Sequence, residues 1–198
     1  MTALIIVDVQ NDFLPGGALA VPDGNVILPI INQLIKLPFQ CILATKDWHP
    51  IDHESFASVH GKIPGEVIDL HGIPQILWPV HCVQGTKGAE LSNSLDKQCI
   101  HQIFYKGVNR EIDSYSTFFD NCHLKSTGLH DFLQQCEVHT LYFAGLATDY
   151  CVKFSAIDAL QLGYEVFVIK DACRGVNLVS GDDEKALEEI RQLGGHII

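Results

Sequence analysis

Apolar residues in this chain come in blocks, and the spacing inside each block changes from strand-like to helical and back. Ala3-Leu-Ile-Ile-Val-Asp-Val9 is a continuous apolar run closing around a carboxylate, the pattern of a central strand buried on both faces of a parallel sheet. Ile27, Ile30, Ile31 and Leu34 recur at helical spacing and predict a helix over Val26 to Lys36, stopped by Pro38. Further short runs predict strands over Phe39 to Thr45, His101 to Tyr105, Val138 to Ala144, Tyr164 to Asp171 and His196 to Ile198. Helical spacing returns from Gly128 to Cys136, from Val152 to Leu160 ahead of Gly163, and from Gly181 to Leu193, with Ala186, Leu187, Ile190 and Leu193 as the core face of the last helix. Strands alternating with helices imply an α/β fold, a mostly parallel central sheet with helices on both faces built from right-handed βαβ units.

One stretch breaks this rhythm. Lys46 to Gly88 is poor in periodic apolar residues and rich in Pro, Gly and His, and a loop of that length inside a compact domain is usually functional. The expected organisation is a single domain over residues 1–198 with the irregular segment 46–88 as an insertion. No internal repeat or low-complexity linker divides it.

Composition narrows the class. At 47% hydrophobic and 19% charged residues the chain reads as globular, and its formal charge of −11 argues against nucleic acid as a partner. No apolar run approaches the roughly 20 residues of a membrane span. Met1-Thr-Ala-Leu-Ile-Ile-Val lacks a basic region and is not expected to act as a signal peptide. Seven cysteines, an odd number without CxxC spacing, predict reduced thiols in a cytoplasmic protein rather than a disulfide frame. The oligomeric state is left open, a homo-oligomer included.

Three strand ends carry candidate chemistry: Asp8, Lys106 and Cys151. Taken singly each has an ordinary reading, as a turn-capping Asp, a solvated Lys and a small packed Cys. Together they suit attack on an amide. Cys151 is expected in the first turn of a helix, with Thr148 or Asp149 as N-cap, where free amides and the helix dipole favour a thiolate. Asp8 could take the thiol proton, its basicity raised by desolvation, while Lys106 holds the developing charge in check. Amides of the Cys151 turn could face the oxyanion. In Asp47-Trp-His-Pro-Ile-Asp-His53, Asp47 and His49 at i, i+2 project the same way and can reach one metal ion, with His81 as a third ligand. Such a set leaves coordination positions open and suits Zn, Fe or Mn.

The stretches Ile6-Val-Asp-Val-Gln-Asn-Asp-Phe13, Thr45-Lys-Asp-Trp-His-Pro50, Trp78-Pro-Val-His-Cys-Val-Gln-Gly-Thr86, Phe104-Tyr-Lys-Gly107 and Gly145-Leu-Ala-Thr-Asp-Tyr-Cys-Val152 occur in an order that resembles the nicotinamidases (pyrazinamidases) of the isochorismatase-like cysteine hydrolase superfamily. The resemblance spans nearly the whole chain. It implies the three-layer αβα fold and a triad of Asp8, Lys106 and Cys151. It implies a divalent metal on Asp47, His49 and His81, most simply zinc, which in the family holds the pyridine nitrogen of the substrate and ordered waters. The fourth metal ligand varies in the family, and His53, Ser55 or a water could fill that place here. Phe13 and Trp78 match the aromatic walls around the substrate ring, and a cis peptide at Leu146-Ala147 would place the Ala147 and Cys151 amides as an oxyanion hole. The implied reaction is hydrolysis of nicotinamide, and of pyrazinamide, to the acid and ammonia through a cysteine thioester, in NAD salvage. Two competing readings are a metal-free relative acting on isochorismate or a carbamoyl amide, and a non-catalytic metal or redox module using a reactive Cys151.

Overall fold

The structure, a computed structural model, describes residues 1–198. Its strands are β1 (Thr2–Val7), β2 (Cys41–Asp47), β3 (Val67–Leu70), β4 (Ile73–Ile76), β5 (Gln102–Lys106), β6 (Thr140–Leu146), β7 (Glu165–Arg174) and β8 (His196–Ile197). Its helices are α1 (Ile27–Leu34), α2 (Leu129–Gln135), α3 (Lys153–Gln161) and α4 (Asp182–Gln192). Six strands form one sheet in the order β5-β2-β1-β6-β7-β8, and every pairing within it is parallel.

The apolar run of β1 explains the layering. Alternate side chains of a strand point to opposite faces, so a strand apolar at every position must be covered on both. Ala3, Ile5 and Val7 pack with Leu129 and Leu133 of α2, Ala156 and Ala159 of α3, and Leu187 and Ile190 of α4. Leu4 and Ile6 pack on the other face with Ile27, Leu28 and Ile31 of α1. Each such Leu or Ile contributes about 1.5–3 kcal/mol by leaving water. The fold is the expected α/β sheet with helices on both faces. No helix is long and apolar enough to cross a membrane, and all seven cysteines are free thiols.

Several elements differ from the sequence pattern. The buried face of the first helix is Ile27, Leu28 and Ile31, continued by Ile35, whereas Ile30 and Leu34 are only partly covered. Leu193, expected in the core, follows the end of α4 and is 54% exposed. The segment from Lys46 to Gly88 holds an antiparallel hairpin, β3 with β4, that its composition did not announce. Only Leu70 and Gln75 of that hairpin are buried, and one of them is polar. β2 continues two residues beyond Thr45, so that Asp47 is still in the ladder and pairs with Lys106 of β5.

The junction of β1 and β6 is held tightly together by a glycine. Gly145 pairs with Val7 and adopts φ +132°, and a Cβ there would lie 2.1 Å from the Val7 carbonyl oxygen. Gly145→Ala combines a backbone conformation that L side chains rarely adopt with a backbone clash. Its expected cost exceeds about 2 kcal/mol, read as a lowered midpoint in urea unfolding.

Candidate active site

Four adjacent strands, β5, β2, β1 and β6, end at the same edge of the sheet, and each delivers one polar group there: Lys106, Asp47, Asp8 and, through the turn after β6, Cys151. Crevices beyond the carboxyl ends of parallel strands are where open α/β sheets hold ligands. Asp8 turns out of β1 with φ 47°. Its backbone N–H reaches Thr45 Oγ1 at 3.3 Å, and the Thr45 hydroxyl donates to Asp8 Oδ1 at 2.7 Å. Gln10 secures Asp47 by accepting its N–H at 2.8 Å and donating to its carbonyl at 2.7 Å.

Lys106 is the hub. Its side chain is 1% exposed, and Nζ donates to Asp47 Oδ1, to the Ser114 carbonyl at 2.9 Å and to Cys151 Sγ at 3.3 Å. Asp8 Oδ2 lies 2.9 Å from the same ammonium, a charge contact off the line that a hydrogen bond requires. Burial alone would depress the Lys106 pKa, but Asp47 and Asp8 outweigh it and hold the amine firmly protonated. Burial would likewise lift Asp47, yet Lys106 and His49 keep it below the usual carboxylate range. Asp8, fully buried, is raised by desolvation against the pull of Lys106.

The turn carrying Cys151 corrects the sequence reading. Thr148–Val152 is a π-helical turn ahead of α3, and neither Thr148 nor Asp149 caps it. Asp149 instead accepts the N–H groups of Val176 and Asn177, at 2.9 and 2.7 Å. The thiol itself is pushed well above its ordinary range, because burial outweighs Lys106. A thiolate is therefore not favoured at rest, and the sulfur needs a base. The ligand atoms of Asp8, Asp47 and Cys151 all lie within 4.8 Å of one another.

Beside this group Asp47, His49 and His81 converge, with His49 Nε2 at 3.7 Å and His81 Nε2 at 3.9 Å from Asp47 Oδ2. His49 Nδ1 faces the Gly107 carbonyl at 2.9 Å and His81 Nδ1 faces the Pro79 carbonyl at 2.8 Å. Each carbonyl accepts the Nδ1–H, which turns the Nε2 lone pair inward. His49 Nε2 is buried without a hydrogen-bond partner, and burial lowers the His81 pKa to about 4, so that its imidazole is neutral. Gly107 makes the approach possible, since a Cβ there would meet His49 Cε1 at 2.3 Å. Two inward imidazole nitrogens and one carboxylate oxygen fit a divalent metal. These three residues are a candidate metal site.

His53 takes a different place from that of a fourth neighbour to Asp47. It groups with His49 and Asp113, its Nδ1 meets Ser55 Oγ at 2.8 Å, and its Nε2 is buried without a partner. Cys82, next to His81, is fully buried in the apolar cluster beneath the loop.

A narrow cleft opens onto Cys151, Asp47 and His81, with Phe13, Trp78 and Ala147 in its wall. The Leu146–Ala147 peptide is cis. Asp113, Tyr115, Tyr150, Leu19 and Val176 also line the cleft and were not singled out from sequence. Tyr150 lies inside the Gly145–Val152 stretch and was within reach of a closer reading. Tyr115 was not, because what marks it is the Trp78 Nε1–H donated to its hydroxyl at 3.2 Å.

Comparison with known proteins agrees with this geometry. The model of the isochorismatase domain matches residues 66–198. The Escherichia coli nicotinamidase is 49% identical over 195 residues, covering 97% of this chain and 92% of that protein. A solved nicotinamidase/pyrazinamidase from Acinetobacter baumanii superposes with a TM-score of 0.96 at 45% identity, over all of this chain and 95% of the other. The pyrazinamidase of Pyrococcus horikoshii, solved in complex with zinc, gives a TM-score of 0.80 at 38% identity, over all of this chain and 98% of the other. With a full-length match in sequence and in fold, the chain belongs to the isochorismatase family, among its nicotinamidases and pyrazinamidases.

Proposed function

We infer that this chain is a nicotinamidase, hydrolysing nicotinamide to nicotinate and ammonia, and pyrazinamide in the same way. The observation that carries the reading is the meeting of Cys151, Lys106 and Asp8 beside Asp47, His49 and His81, with Cys151, Asp47 and His81 open to one cleft. A metal-free relative would have no use for two imidazoles with their Nε2 atoms turned inward.

Asp8 is the general base. It takes the Cys151 proton as the sulfur attacks the carboxamide carbon, and returns that proton to the departing ammonia. The amides of Ala147 and Cys151 receive the negative oxygen of the tetrahedral intermediate, a role worth about 10²–10³ in rate per donor. Lys106, 3.3 Å from the sulfur, stabilises the charge that passes between sulfur and carboxylate. In the second half a water gives its proton to Asp8 and attacks the thioester carbon. The sulfur leaves, recovers the proton, and nicotinate is released. Phe13 and Trp78 flank the ring through their π faces. A zinc ion held by Asp47, His49 and His81 would supply a Lewis acid that anchors the pyridine nitrogen and orders water. Zinc suits the carboxylate and imidazole donors, and His53 or Ser55 completes the set only if one of them turns toward it.

Four outcomes test the reading. Cys151→Ala should abolish ammonia release from nicotinamide. Asp8→Asn should prevent formation of the acyl-enzyme seen by mass spectrometry while leaving the metal content at the wild-type level, and loss of metal in that variant would assign Asp8 to the wrong role. Replacing a metal ligand acts differently: purified His81→Ala should hold well under one ion per chain by elemental analysis, with an unchanged circular dichroism spectrum and a raised KM. Acid should also silence the enzyme earlier than an ordinary carboxylate would allow. Asp8 works only when ionised, and burial raises its pKa, so the acid limb of kcat/KM is expected above the usual Asp range near 3.8. A limb at or below that value would remove Asp8 as the base.

A further inference from the structure

We propose that Ser155 is a positioning residue for the nucleophile, setting where Cys151 stands relative to Lys106. This rests on the reading of Cys151 as the attacking group. Ser155 is fully buried in the first turn of α3. Its hydroxyl donates to the Cys151 carbonyl at 2.5 Å and accepts the Thr117 N–H at 2.8 Å. The hydroxyl thus donates to the residue that carries the sulfur and accepts from the loop that follows β5.

That loop holds the other side of the site. Ser114, three residues before Thr117, offers its carbonyl to Lys106 Nζ at 2.9 Å, and Nζ in turn reaches Cys151 Sγ at 3.3 Å. The contacts close a ring: Lys106 to Ser114, along the backbone to Thr117, to Ser155, to Cys151 and back to Lys106. In such a ring the sulfur-to-ammonium distance is set from both ends, and cutting the ring at Ser155 frees the Cys151 turn from the Lys106 loop. A hydroxyl bonded to the carbonyl one turn back also perturbs regular helix geometry. The Val152 N–H does bond the Ala147 carbonyl, five residues back, at 3.1 Å, as expected where the turn widens. Ser155 does not line the cleft, so its influence on the reacting atoms passes through Cys151 and the Thr117 loop.

The test compares Ser155→Ala, which loses both bonds, with Ser155→Thr, which keeps the hydroxyl. Steady-state hydrolysis of nicotinamide, metal content, melting temperature and the pH dependence of Cys151 alkylation by iodoacetamide would be measured for each. Ser155→Ala should lower kcat about tenfold or more, since displacement by a fraction of an ångström at the reacting atom is costly. KM should stay within twofold, metal content should be unchanged, and the alkylation profile of Cys151 should shift along the pH axis. Ser155→Thr should recover most of kcat and restore the profile. The inference is overturned by a Ser155→Ala enzyme within twofold of wild type in kcat, by equal losses in the Ala and Thr variants, or by a loss that tracks metal content. Turnover surviving in Cys151→Ala is a separate result, and it would remove the underlying reading instead.

Discussion

A single buried ammonium holds this site together. Lys106 is almost wholly withdrawn from water, and a charge in that position is tolerable only when it is paired and hydrogen-bonded. Asp47, Asp8, the Ser114 carbonyl and the Cys151 sulfur all meet it. Each comes from a different part of the chain, and removing one partner of a buried pair typically costs about 3–5 kcal/mol. Electrostatic necessity thus draws together groups that the chemistry also requires. The same ammonium keeps Asp47 ionised, while desolvation keeps Asp8 basic and Cys151 protonated at rest.

Asp47 links the two halves of the site. One of its oxygens serves Lys106 and the other faces His49 and His81. Anything that draws charge toward the second oxygen loosens the hold of the first, so a cation bound beside His49 and His81 would change the electrostatics around Lys106, Asp8 and Cys151 through one carboxylate. That coupling is reciprocal by thermodynamic necessity. Gln10 and Thr45 keep the arrangement from drifting by tying Asp47 and Asp8 to the backbone around them.

Much of this was legible in the sequence, because buried parallel strands advertise themselves as unbroken apolar runs and the residue that ends such a run must sit at the sheet edge. Asp8, Lys106 and Cys151 could be placed at that edge on those grounds, and the quoted motifs tied them to a family. What could not be read depends on contacts distant in sequence. Asp149 looks like a helix cap until the N–H groups of Val176 and Asn177 are seen to claim it. The Cys151 thiol looks activated by a helix terminus until its burial is known. The β3–β4 hairpin buries too little for alternation to show. Local propensity fails at these places because a tertiary partner outbids it.

Strand β5 lies at the rim of the sheet with β2 as its one neighbour, and Asp47 stands opposite Lys106 in that ladder. Side chains alternate across a strand, so sliding β5 by a single residue would turn Lys106 to the far face while sparing nearly all of the main-chain bonding. The same slip would carry Phe104 out of the core and leave Asp8 and Asp47 buried without their counter-charge. Strand alignment and turnover are therefore secured by one and the same ammonium.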